Sequence, residues 1–65
     1  MEKIRFFITE YTDGNIKIEP KHMHYTFRDD LNADDIAPGE LFQKMREISA
    51  ICKRENIVPV FIYNG

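Results

Sequence analysis

Apolar and polar residues alternate with a period of two near the start of the chain. Ile4, Phe6 and Ile8 fall on one side of an extended segment, and Arg5, Phe7 and Thr9 on the other, which is the pattern of a strand with one buried face. Thr12-Asp13-Gly14-Asn15 follows, and Asp and Gly both tolerate positive φ, so this stretch reads as a turn. Ile16 and Ile18 then alternate with Lys17 and Glu19 and begin a second strand. The two strands form a hairpin. A two-residue Asp13-Gly14 turn would set Ile8 opposite Glu19 and separate the two apolar sets. A loop of three or five residues brings Ile4, Phe6 and Ile8 onto one face with Ile16 and Ile18. A one-residue slip turns every side chain over, so the buried face decides the register, and an odd loop with a bulge is expected.

Pro20 cannot donate to a strand ladder and marks an edge or a bulge. Beyond it, His22-Met23-His24-Tyr25-Thr26-Phe27 alternates again, with a parity opposite to Ile16 and Ile18. One extra residue near Pro20-Lys21 would restore a common face, so residues 16–28 read as one bulged strand or two short ones. Residues 29–37 form a loop with four aspartates, Asp29, Asp30, Asp34 and Asp35, and room for a single helical turn capped by Asn32. The spacing of Leu41, Met45, Ile48 and Cys52 is four, three and four residues, one apolar stripe of a helix running from about Pro38 to Glu55. Pro38 suits the first helical position. Lys53 and Arg54 suit the negative end of the dipole. Asn56 is placed to end the helix in the left-handed conformation, with Ile57 folding back over its last turn. Val58 to Tyr63 is a final strand, in which Val58, Val60 and Ile62 share one face, and Phe61 and Tyr63 the other.

The expected fold is therefore a single α+β domain over residues 1–65, of order β-β-α-β. A return over the helix places the last strand beside the first, giving an antiparallel sheet of order 2-1-3, three-stranded or four-stranded with a bulge, with one amphipathic helix on one face. By the same parity the uncovered face carries Phe7, Tyr11, His22, His24, Phe61 and Tyr63, with Arg5, Lys17 and Thr26. An open antiparallel face is ordinarily polar, whereas contiguous exposed apolar area marks a binding surface.

Composition narrows the chemistry. The 65 residues are 43% hydrophobic and 31% charged, a balance that suits a folded domain. A chain this short buries a modest share of its surface, and Cys52, its lone cysteine, permits no internal disulfide and fits a reducing compartment. The opening Met1-Glu2-Lys3-Ile4-Arg5 has charges where a leader would be apolar, and no apolar run is long enough to span a bilayer. A complete small cytoplasmic protein is the expectation. The formal net charge of −2 runs against the positive excess typical of nucleic-acid binders.

No motif assigns a catalytic centre or a cofactor. The three glycines lie far apart and make no phosphate loop. His22 and His24 form a His-x-His pair, short of the three or four ligands a zinc site needs, so no metal is expected. Cys52 sits in the apolar stripe near the helix C-terminus, where neither access nor the dipole favours a thiolate. The sequence thus points to a small non-enzymatic interaction or accessory module of a kind often carried by phages and mobile elements. It would act through the aromatic face or a strand edge, as a homodimer or on a protein partner. Single-stranded nucleic acid on the same face is the alternative, because bases stack on aromatic rings.

Overall fold

A computed structural model describes residues 1–64 of the chain. Four strands and one helix follow in the order β1 (Glu2–Glu10), β2 (Ile16–Pro20), β3 (Ala33–Ile36), α1 (Leu41–Arg54) and β4 (Ile57–Tyr63). The sheet order is β3-β2-β1-β4. The α+β class, the amphipathic helix on one face and the placement of the last strand beside the first are as the pattern predicts.

The hairpin has the odd loop that burial requires. Ile8 pairs with Ile18 and Glu10 with Ile16. The loop is closed by the Tyr11 N–H donating to the Asn15 carbonyl at 2.8 Å, and the Gly14 N–H donating to the Tyr11 carbonyl at 3.0 Å. Gly14 has φ +91°, the left-handed residue that ends a three-residue loop and sets the bulge. Ile4, Phe6, Ile8, Ile16 and Ile18 are consequently buried together, under Ile48 and Cys52 of α1 and beside Leu31, Ile36 and Ile57. The helix ends as its sequence indicates: Asn56 has φ +59°, and Ile57 turns inward immediately after it.

Three expectations are corrected. Residues 22–27 are not a strand. The Tyr25 and Thr26 N–H groups both donate to the His22 carbonyl at 3.0 Å, so the segment coils on itself and leaves Phe27 92% exposed. The sheet position it would have taken belongs to β3, which pairs Ile16 with Ile36 and Ile18 with Ala33. This extra strand also changes a direction. One more reversal of the chain precedes the helix, so β4 runs parallel to β1 and the sheet is mixed, not wholly antiparallel. The single helical turn expected in the acidic loop is present at Asp29–Leu31, but Asn32 closes its C-terminal end and does not cap its start.

Both proline positions follow from the ladder. The Glu2 N–H donates to the Asn56 carbonyl, and the Asn64 N–H to the Ile8 carbonyl. Alternation between these bonds turns the backbone groups of Ile57, Pro59, Phe61 and Tyr63 away from β1, toward the free edge. Pro59 therefore sits where its missing donor leaves nothing unpaired in the sheet, and it interrupts that edge for any incoming strand. The Lys21 N–H donates to the Arg5 carbonyl at 2.8 Å, which by the same alternation turns Pro20 away from β1 as well. The other edge, β3, is four residues long and includes Asp35 at φ +56°.

Candidate functional site

Register places each residue of the expected aromatic surface. On β1, Lys3, Arg5, Phe7 and Thr9 lie on the side away from the helix. Their neighbours on that side are Val58, Val60 and Ile62 of β4, paired with Lys3, Arg5 and Phe7. Glu19 and Lys17 of β2 stand opposite Phe7 and Thr9. Only Phe7 of the six expected residues lies in the centre of this open face. Tyr11 lies half-exposed at the hairpin end. Phe61 and Tyr63 lie on the opposite, helix-covered side: Phe61 packs on Phe6 with ring centroids 5.5 Å apart, and the Tyr63 hydroxyl donates to the Glu10 carboxylate. The parity of β4 is thus the reverse of the one its sequence suggested, because burial of Ile57 over the helix end carries Pro59, Phe61 and Tyr63 inward with it.

His22 and His24 gather elsewhere, near the start of β1. His22 Nε2 lies 3.3 Å from Glu2 Oε2, and its Nδ1 accepts the His24 backbone N–H at 3.2 Å. The His22 ring lies tilted against Tyr25 with centroids 5.1 Å apart, and the Tyr25 hydroxyl donates to Glu2 Oε1 at 3.0 Å. This hydrogen bond to a carboxylate pushes the Tyr25 phenol above its ordinary value. Both ring nitrogens of His22 thus have partners, Glu2 on one side and the His24 backbone on the other. Among the described residues no group of three or more His, Cys, Asp or Glu side chains could hold a metal ion.

The same irregular segment is tied to the helix by Arg28. Its guanidinium donates to both Glu55 oxygens at 2.6 and 2.7 Å and to both Asp30 oxygens at 3.0 and 2.6 Å. Bonds to the guanidinium hold the Glu55 and Asp30 carboxyls below the usual carboxylate range. A carboxyl whose folded pKa lies below its unfolded one adds stability above the unfolded value, and that stability is lost as pH falls through the folded one. The clamp therefore loosens on acidification only below the usual carboxylate range. In thermal melts followed from neutral to acidic pH, Glu55→Gln is expected to lose less of its midpoint than the wild type. Identical profiles would show that the clamp does not form in solution.

The remaining candidates carry little chemistry. Cys52 is fully buried, and desolvation, with Glu55 nearby, pushes its thiol up, away from nucleophilic character. A cleft of about 280 Å³ lies between Asp29–Ala33 and the helix, with Ile48 and Ile51 among its lining residues. Of its charged lining residues Asp30 pairs with Arg28 and Lys44 with Glu47, while Asp29 makes no ion pair with the described residues. It is no larger than the lower limit of small-molecule sites, about 300 Å³.

The open sheet face has a different character. Phe7, Val58, Val60 and Ile62 form one apolar band, with Val60 38% exposed. On its β2 side, Glu19 pairs with Lys17 at 2.9 Å and with Lys21 at 2.7 Å, which draws its carboxyl down. The Lys21 ammonium also lies 5.5 Å above the Phe7 ring, within cation–π range. Lys3 and Arg5, directly beside Val58 and Val60, make no ion pair with the described residues. Sequence reasoning named Arg5 and Lys17 on this face and missed Val58, Val60 and Ile62.

What these elements define is an α+β domain with a four-stranded mixed sheet covered on one side only. No family model, curated protein or solved structure matches the chain. No helix among the described residues is long and apolar enough to cross a membrane.

Proposed function

We propose that the protein is a non-enzymatic interaction module that docks a partner protein on the open face of its sheet. The observation that carries this is the band of Phe7, Val58, Val60 and Ile62 left uncovered beside Lys3 and Arg5, cations that make no ion pair with the described residues. Apolar area bordered by unmatched charge is the composition of an interface core with its rim. Strand addition is disfavoured at both edges, by Pro59 on one and by the short, kinked β3 on the other, so the face is the surface of choice. Self-association across this face would bring two sets of Lys3 and Arg5 into one interface, which favours a partner of different charge over a homodimer. The engaged His22 ring and the buried Cys52 support a role without catalysis.

Single-stranded nucleic acid is the second reading, favoured by one observation: Phe7 offers a stacking ring within reach of Lys3, Arg5 and Lys21. The two readings are separated by a photo-crosslinking amino acid placed at Val60, with Arg46 on the outer helix surface as the control position. In native cells a discrete protein adduct from position 60 alone is expected. A nucleic-acid adduct would move the assignment to the second reading, and equal labelling from both positions would remove the face as a specific surface.

A further inference from the structure

We infer that the occupant of the open face is an acidic amphipathic helix of the partner protein, lying along β4 and β1; this rests on the reading of that face as the docking surface. The pairing of β1 with β4 is parallel, and wholly parallel sheets have both of their faces covered. Here only one is. β4 itself, Ile57-Val58-Pro59-Val60-Phe61-Ile62-Tyr63, has no charged residue on either side, the composition of a strand buried on both. Ile57 and Phe61 are satisfied by the core, whereas Val58, Val60 and Ile62 lack an equivalent layer. A sheet with one apolar face left over is completed by another element packed across it.

Dimensions and charge identify that element. The seven residues of β4 span roughly 23 Å at about 3.3 Å per residue. A helix of about 15 residues has the same length, and its diameter of about 10 Å covers two neighbouring strands. Its apolar stripe would lie on Phe7, Val60 and Ile62. The next residues met on the β1 side are Lys3 and Arg5, which call for carboxylates on the flank of that helix. The chain's own helix does not have this character: Lys44, Arg46, Lys53 and Arg54 outweigh its one acidic residue, Glu47. A second copy is therefore a poorer occupant than a partner with an acidic amphipathic segment.

The test titrates ¹⁵N-labelled protein with a designed Leu/Glu amphipathic peptide of about 15 residues, its Leu/Lys counterpart with the same apolar stripe, and an oligothymidylate. The Leu/Glu peptide is expected to move the amide signals of Arg5, Phe7, Val60 and Ile62 and to bind at least tenfold tighter than the Leu/Lys peptide. Arg5→Glu is expected to weaken it at least tenfold with the dispersed spectrum unchanged. Equal binding of the two peptides, a preference for Leu/Lys, or silence from both overturns the helix. If the oligothymidylate alone moves these signals, the occupant is nucleic acid and the face remains a docking surface. If none of the three moves them and the Val60 crosslinker is also silent, both readings fall together.

Discussion

Phe6→Ala is expected to unfold the protein or leave it barely folded at room temperature. Phe6 is fully buried at the centre of β1, between Ile4 and Ile8, and its ring packs on Phe61. Truncating a buried Phe to Ala costs about 3–5 kcal/mol, from lost burial and from the cavity left behind. A domain of 65 residues, at roughly 0.05–0.15 kcal/mol per residue, has about 3–10 kcal/mol in total. The neighbouring residue supplies the contrast. Phe7 points to the open face, so Phe7→Ser is expected to cost about 1 kcal/mol or less, in line with substitutions outside the core, while abolishing partner binding. Urea denaturation followed by circular dichroism separates the two. Comparable losses at both positions would mean that the faces of β1 are misassigned.

Leu31→Ala is expected to cost about 2–5 kcal/mol as a core truncation, although Leu31 lies in a three-residue helical turn inside an otherwise irregular segment. Its side chain is fully buried in the same cluster as Phe6 and Ile48. The segment from His22 to Asn32 is held by this anchor, by the Arg28 clamp on Glu55 and by the contacts of His22 and Tyr25 with Glu2. The clamp is a surface ion pair, whereas the anchor belongs to the core. Removing the anchor is therefore expected to lower global stability and not merely to free the loop. Hydrogen exchange distinguishes these outcomes. Accelerated exchange at Tyr25, Thr26 and Arg28 alone, with the sheet amides unchanged, would show that the segment is an independent flap.

The hairpin, its odd loop, the helix with its stripe and the Asn56 terminus were legible because each rests on local pattern: a period of two, a period of 3.6, or a residue that tolerates positive φ. The misread parts lacked such a signal. In β4 both alternating sets are apolar, so periodicity carries no information about which one faces the helix. The usable clue was Ile57: folding back over the helix end fixes Phe61 and Tyr63 on the covered side. β3 is four residues, Ala33-Asp34-Asp35-Ile36, too short and too acidic to register as a strand. Its omission reversed the direction of β4. His22–Phe27 alternates convincingly, yet β3 already occupies the free side of β2, and local bonds to the His22 carbonyl satisfy the backbone instead. The open face was expected to carry six aromatic side chains, but its apolar content is aliphatic around one ring.

The parallel pairing of β1 with β4 also bears on when the protein can fold. Glu2 meets Ile57 and Ile8 meets Tyr63, so β1, an inner strand of the sheet, is completed only by the last of the described elements. The β1–β2 hairpin can close early, but one side of β1 has no partner until nearly all of these residues are available. Such long-range closure slows folding relative to helical or hairpin-only chains of the same size. It also makes assembly close to all-or-none: a nascent chain interrupted within α1 would expose the backbone of β1.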